Sequence, residues 1–214
     1  MPRVDQAYLD ARRAEILEAA IRCFSRQGFH RTTMRDIVRE SKRSPGAIYN
    51  YFKSKEDIIE AVASERHARE RATIVAARDE SSAGDVLRRI REAFFGPLKD
   101  KAERRRRRVG IQMWAEAQRD PRIHAIVRRG VDEPRHLLGS LIRSAQGRGE
   151  ISRELDADAL ARFLMAVFHG LVLQLDWDER VAVEPFVEVL DLCVAPLLAA
   201  KGPRRQRSRR PSRK

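Results

Sequence analysis

Residues 32–58 read TTMRDIVRESKRSPGAIYNYFKSKEDI, and three helix starts fall inside those few turns of chain. Thr33 offers a hydroxyl to early backbone N–H groups, and Asp36 stands three residues on, where a capping box places its acid, so a helix opens there and runs to about Ser41. Ser44 precedes Pro45, and proline suits the first helical position because its missing N–H would have no partner there. Ser54 followed by Asp57 repeats the cap and opens a longer helix reaching about residue 79. Two short helices separated by Lys42 and Arg43 and flanked by longer ones form a helix-turn-helix. In that motif the second short helix enters a major groove and the first crosses the phosphate backbone.

Working outward, Leu17, Ala20, Ile21 and Phe24 repeat at the spacing of an amphipathic stripe, which predicts a helix over 10–26 that Gly28 ends. Downstream, the breaks SSAGD, FFGPLKD, QRDPR, GRGE and DWDERVAVEP bound helices over 82–98, 102–118, 121–144, 156–176 and 184–199. Strand signals are absent from this pattern, and nine helices make an all-α chain.

The start of the second short helix is where bases are met. Pro45, Gly46 and Ala47 are compact enough for close backbone approach, and a helix N-terminus is electropositive. Tyr49, Asn50 and Lys55 carry donors suited to phosphate oxygens, which fix register rather than read sequence. Thr33 and Lys55 would flank the groove, and Lys53 lies among the same candidate DNA contacts. Ile48, Tyr51 and Phe52 are read as core, because apolar and aromatic residues at helical spacing pack by default.

Of 214 residues, 43% are hydrophobic and 35% charged, an ordinary balance for a globular chain. The charged start carries no export signal. The most apolar window, 160–175, is broken by Arg162, His169 and Gln174 and falls short of the roughly 20 residues a bilayer crossing needs. Cys23 and Cys193 lack any CxxC or Cys/His spacing, and the histidines show no ligand spacing, so neither disulfide, metal nor cofactor is expected. These features predict a cytoplasmic protein that does not span a membrane. The net charge is +13, of which the segment from Lys201 holds eight Lys/Arg and no acid, leaving +5 elsewhere. Residues 201–214 lack the apolar content to fold and read as a disordered basic tail. The run Arg104–Arg108 reads as a solvated helix face or loop in preference to an anion site.

The segment TTMRDIVRES, SPGAIYNYFKSKEDI, with its threonine before the second helix, its G-x-I-Y-x-x-F stretch and its S-K-E helix start, resembles the DNA-binding domain of the TetR family of transcriptional regulators. The resemblance covers about residues 11–63 closely. It implies a helix-turn-helix domain over 1–53 (residues 1–9 a flexible arm) and a ligand-binding and dimerisation domain over 54–200. The implied protein is a homodimer on a double-stranded DNA operator, usually a repressor released by a small molecule whose identity the sequence does not give. By motif position Thr33, Tyr49, Asn50 and Lys55 match backbone contacts, and Ser44, Pro45, Gly46 and Ala47 lie at the reading end. The chain departs from the family in the turn. Lys42 stands where a left-handed residue is needed, at a cost of about 1 kcal/mol. Arg43 replaces a residue that packs, which leaves an altered turn or an extra phosphate contact open.

The helix over 156–176 is apolar nearly all round, as a helix buried against its own domain and a partner subunit would be. Leu160, Leu164, Val167, Leu171, Val187 and Leu190 are therefore expected at the dimer interface. Phe94, Phe95, Met113, Trp114, Phe168 and His169 are candidate walls of a pocket for an apolar effector, although core packing is the default for each and a structural role is preferred for His169. Two other classes fit the sequence less well. An enzyme is disfavoured because no phosphate loop, G-x-S-x-G or paired-histidine motif occurs. A nucleic-acid packaging protein driven by the basic tail has no need of a large apolar C-terminal half.

Overall fold

In the computed structural model, which describes residues 6–199, nine α-helices follow one another and no strand occurs among the described residues. They are α1 (Gln6–Gln27), α2 (Met34–Ser41), α3 (Pro45–Tyr51), α4 (Lys55–Ala76), α5 (Ala83–Phe95), α6 (Lys101–Glu116), α7 (Pro121–Arg148), α8 (Ala157–Trp177) and α9 (Val183–Ala199). Turns of 3-10 helix at Ala77–Asp79 and Gly96–Lys99 complete what the sequence pattern continues as α-helix. Residues 6–9 lie in α1, so the expected arm is helical there, and the basic tail from 201 lies outside the described residues.

The cap predictions hold in detail. Thr33 and Asp36 form a reciprocal capping box, as do Ser54 and Asp57, while Ser44 caps α3 with Pro45 in its first turn. α7 runs on to Arg148, where Gly149 at φ 77° provides the left-handed end, and it passes through Pro134 without breaking. Proline removes one helical hydrogen bond but leaves the rest, and burial of Pro134 keeps the helix in place.

Two apolar clusters position the site. The first joins Ile16, Leu17 and Phe24 of α1, Ile37 of α2, Ile48 of α3, Phe52, and Ile58 and Ile59 of α4 to Val109, Met113, Ile123 and Ile126 of α6 and α7. Tyr51 packs against it, half-buried. The second gathers Phe95, Leu98, Phe168, Leu171, Val172, Leu175, Leu190 and Val194. Leu171 is completely buried and Leu190 nearly so, so neither presents itself to a partner, which corrects their expected place at an interface. Leu160, Leu164, Val167 and Val187 are half-buried against their own protomer. The outward faces belong instead to Phe163 and Trp177 of α8 and Val189 and Leu192 of α9.

At 21 residues and a mean hydropathy of 1.4 over its most apolar window, α8 is long and apolar enough to cross a bilayer. It is longer than the 160–175 window suggests. In the fold it packs along α6 and α7, and its buried side chains belong to the core of the domain.

Candidate nucleic-acid interface and effector chambers

The turn between α2 and α3 takes its shape from Lys42, the one non-glycine residue with positive φ among those described, at φ 55° and ψ 32°. Its side chain is exposed, so left-handed geometry here is imposed by the turn rather than by any contact of the lysine. Arg43 lies back on α1, its Nη2 donating to Glu15 at 2.5 Å. Both side chains of the pair are half-exposed.

Beyond the turn, Ser44, Pro45, Gly46, Tyr49 and Asn50 are exposed and Ala47 is half-buried, while Ile48 is wholly buried. One side of α3 thus anchors and the other is presented. Ser44 Oγ accepts from the Ala47 N–H and the Ser44 carbonyl from the Ile48 N–H, each at 3.3 Å, and Pro45 has no N–H, so Gly46 carries the first turn's remaining N–H. Lys53 is exposed, and its Nζ donates to the Tyr49 carbonyl at 2.7 Å.

Lys55 differs from the expectation of a free phosphate donor. Its Nζ donates to the carbonyls of Phe29 at 3.1 Å and His30 at 3.2 Å and sits 4.6 Å over the Phe29 ring. Two of its three donors therefore hold the α1–α2 turn against α4. The Thr33 hydroxyl likewise serves its own cap, donating to Asp36 Oδ2 at 2.7 Å, and this bond holds the Asp36 carboxyl below its ordinary pKa.

Sequence reasoning passed over Thr32, which is buried and donates to the Gly28 carbonyl at 2.7 Å while accepting from Gln27. The doubled threonine was the available signal: only one of a pair can cap. It also passed over Arg31 and Arg35, exposed cations beside the start of α2.

The six residues expected to line one pocket divide between two chambers. The first, of about 130 Å³, is lined by Phe94 and Phe95 of α5, Ile74 of α4, Leu138 and Ile142 of α7, and Leu164 and Phe168 of α8. Phe168 meets Phe94 and Phe95 edge-on, at centroid distances of 5.6 and 5.4 Å. Met113 and Trp114 line the second chamber, of about 110 Å³, which lies between α1, α4, α6, α7 and α8. Phe168 and His169, with Glu70 and Gly130, line both and form the partition. His169 stands edge-on to Trp114 at 4.8 Å. Burial, and secondarily the charge of Arg66, pushes His67 and His169 down to about 4, so both are neutral at pH 7.

Four members of the arginine run turn to neighbouring elements, and Arg105 alone among the five is fully exposed. In α6, Arg106 pairs with Glu18 of α1, Arg107 with Glu70 of α4 and Glu103, and Arg108 with Asp176 of α8, while Arg104 donates to the Leu98 carbonyl. Arg107 and Glu70 are each only 11% exposed. Successive residues of one helix point to different neighbours, and for Arg106, Arg107 and Arg108 the neighbours α1, α4 and α8 each supply an acid.

A short presented helix on a three-helix scaffold, joined through a long α4 to a chambered helical domain, defines a DNA-binding regulator with a sensing half. Residues 16–62 match the family described as bacterial regulatory proteins, tetR family, and residues 83–199 match the C-terminal domain of BetI-type transcriptional repressors. The chain belongs to the TetR family. It is similar to the transcriptional regulator UidR of Escherichia coli K12, 25% identical over 192 residues that cover 88% of this chain and 93% of that one. Among solved structures, GusR of Salmonella enterica aligns with a TM-score of 0.73 and 27% identity over 89% of this chain and 96% of its own. A regulator from Saccharomonospora viridis in complex with choline aligns with a TM-score of 0.74 and 28% identity over 87% and 96%.

Proposed function

We propose that this protein is a cytoplasmic, non-enzymatic repressor that binds a palindromic DNA operator as a homodimer and is released by a small apolar molecule held in the first chamber. The observation that carries the reading is the course of α4. Its Ile58 and Ile59 are buried in the core that supports the recognition helix, and its Glu70 and Ile74 line the first chamber. One rigid rod therefore touches both effector and DNA-binding core, and a ligand that favours one placement of α4 shifts the other end.

The N-terminal half through residue 53 is the DNA-binding unit in this reading. Ser44, Pro45, Gly46 and Ala47 meet base edges, and Thr33, Tyr49, Asn50 and Lys53 meet phosphates, with Arg31 and Arg35 adding charge. Lys55 acts by fixing the turn, and Arg43 by holding the α2–α3 turn to α1. The exposed stripe of Phe163, Val189 and Leu192 forms the dimer contact, since apolar surface of that kind on adjoining helices is covered in a stable protein.

The Saccharomonospora relative holds choline, a quaternary ammonium. In this chain the acids beside the first chamber are engaged, Glu70 by Arg107 and Asp191 by Arg91, and Arg107 already lies over the Phe168 ring at 5.3 Å. No uncommitted carboxylate is offered to a cation, which favours a neutral apolar effector.

A panel of single-base operator variants tests the orientation of α3. Tyr49→Phe removes one hydroxyl and is expected to weaken every variant alike by about 1 kcal/mol, whereas Ala47→Arg changes which base is preferred or blocks docking. A uniform loss for Ala47→Arg with a sequence-dependent loss for Tyr49→Phe would show the helix rotated the other way.

A further inference from the structure

Beyond the helix-turn-helix, we propose that the sensing half touches the operator itself, through a phosphate contact made by Arg119 in the loop between α6 and α7. The inference rests on the DNA-binding reading above and extends its footprint. It begins from how fully the neighbouring arginines are engaged. On α6, α7 and the loop joining them, every arginine but two gives its guanidinium to a carboxylate, a carbonyl or a hydroxyl. The two are Arg105 and Arg119, both exposed and without a side-chain partner among the described residues.

Arg119 is the one at the DNA-binding end. α6 ends at Glu116, whose carbonyl accepts from the Arg119 and Asp120 N–H groups at 2.9 and 3.0 Å. Asp120 then caps α7, accepting from the N–H groups of Arg122 and Ile123. The loop is short and held at both ends, so its arginine starts from a fixed backbone. Ile123 is completely buried in the same core as Phe52 and Ile58, which flank the exit of α3. Three residues beyond Arg119, Arg122 donates to Asp57 at 2.7 Å, and Asp57 accepts the Lys53 N–H at 2.9 Å. Three residues span at most about 11 Å between α-carbons. Arg119 therefore stands beside the loop that carries Lys53 away from the recognition helix. Arg105 lies about three helical turns back along α6.

The chemistry at this position favours phosphate over bases. Duplex DNA carries one charge per about 1.7 Å of axis, so backbone flanks any half-site that α3 reads. An arginine set back from α3 by a loop meets that flanking backbone, where a contact adds affinity and register without reading sequence. Arg119 gives up no ion pair to make it, and Asp120, the acid next to it, is engaged in the α7 cap. The loop leads into α7, whose Leu138 and Ile142 line the first chamber. A shift of α7 thus reaches DNA by a route separate from α4.

The test is the salt dependence of binding by the full-length protein to a duplex that it selects from random DNA. Each phosphate neutralised contributes about −0.9 to the slope of log K against log salt concentration. With one Arg119 on each protomer of a dimer, Arg119→Gln is expected to flatten the slope by about 1.8 and to leave the preferred sequence unchanged. Arg119→Lys keeps the charge and should keep the slope. Arg105→Gln, an equal loss of charge far from the loop, should leave it unchanged too. Trimming the duplex to the two half-sites should abolish the difference between wild type and Arg119→Gln. An unchanged slope for Arg119→Gln would overturn the proposal, as would equal flattening by Arg105→Gln, which would make net charge the cause. A new preferred base in Arg119→Gln would overturn it too, because the side chain would then be reading sequence. Each of these results leaves the helix-turn-helix reading standing, whereas a wild type that selects no sequence would overturn both.

Discussion

Asp57 and Arg122 tie the exit of the recognition helix to the sensing half. Through Oδ2 the Asp57 carboxylate accepts the backbone N–H groups of Lys53 and Ser54 at 2.9 and 3.1 Å, and through Oδ1 it accepts from Arg122 Nη2 of α7 at 2.7 Å. Arg122, with Arg129, also holds Glu60. α7 thus grips the first turn of α4 at the same carboxylate that closes the loop after α3.

This double use separates two substitutions. Arg122→Ala is expected to lower stability by less than about 1 kcal/mol, because the pair is largely exposed and screened. Asp57→Ala removes the capping acid as well and should cost about 1 kcal/mol more. Denaturant unfolding of the two variants checks the order; equal losses would mean that Asp57 contributes nothing through the cap.

Lys42→Gly is expected to stabilise the protein by about 0.5–1 kcal/mol. Glycine relieves the left-handed strain of about 1–2 kcal/mol and gives back part of it as unfolded-chain entropy. A destabilised Lys42→Gly variant in the same unfolding measurement would show that the turn does not strain Lys42.

Acidification should weaken the fold between about pH 6.5 and pH 4. His67 and His169 are pushed down to about 4 in the fold, chiefly by burial, against an ordinary value near 6.5. The unfolded chain therefore binds more protons in that window, so stability rises with pH across it and is level above it. Replacing both histidines by Asn should flatten the slope of melting temperature between pH 7.5 and 5. An unchanged slope would place the cause elsewhere.

Leu192→Glu should yield folded monomers, because Leu192 is 75% exposed on α9 and its loss leaves the protomer's own core intact. Sedimentation of this variant as a dimer at micromolar concentration would move the interface off the Phe163, Val189 and Leu192 face. Leu171→Ala, at a completely buried site, should instead lower stability by about 2–5 kcal/mol.

The helices were legible because their ends carry chemistry. Thr33 with Asp36, Ser54 with Asp57, and Ser44 with Pro45 each announce a start, and Gly149 a stop further on than the periodicity suggests. What a side chain faces was less legible. Apolar periodicity marks Leu171 as buried without saying whether its own protomer or another buries it. The composition of the Arg104–Arg108 run gives no hint that Glu18, Glu70 and Asp176, distant in sequence, wait for its members. Lys55 looked like a phosphate donor because its position matches the family's, but the carbonyls that hold it belong to a turn 25 residues away.

The account is tested most directly by selecting fragments bound by the full-length protein from random double-stranded DNA at physiological salt. A dimer presenting two copies of α3 predicts an enriched palindrome with half-sites about one helical turn apart or a multiple of it. It should be bound about 10³-fold or more tightly than random sequence. Enrichment of no common sequence, with affinity set by salt alone, would contradict it and point to phosphate binding without base recognition.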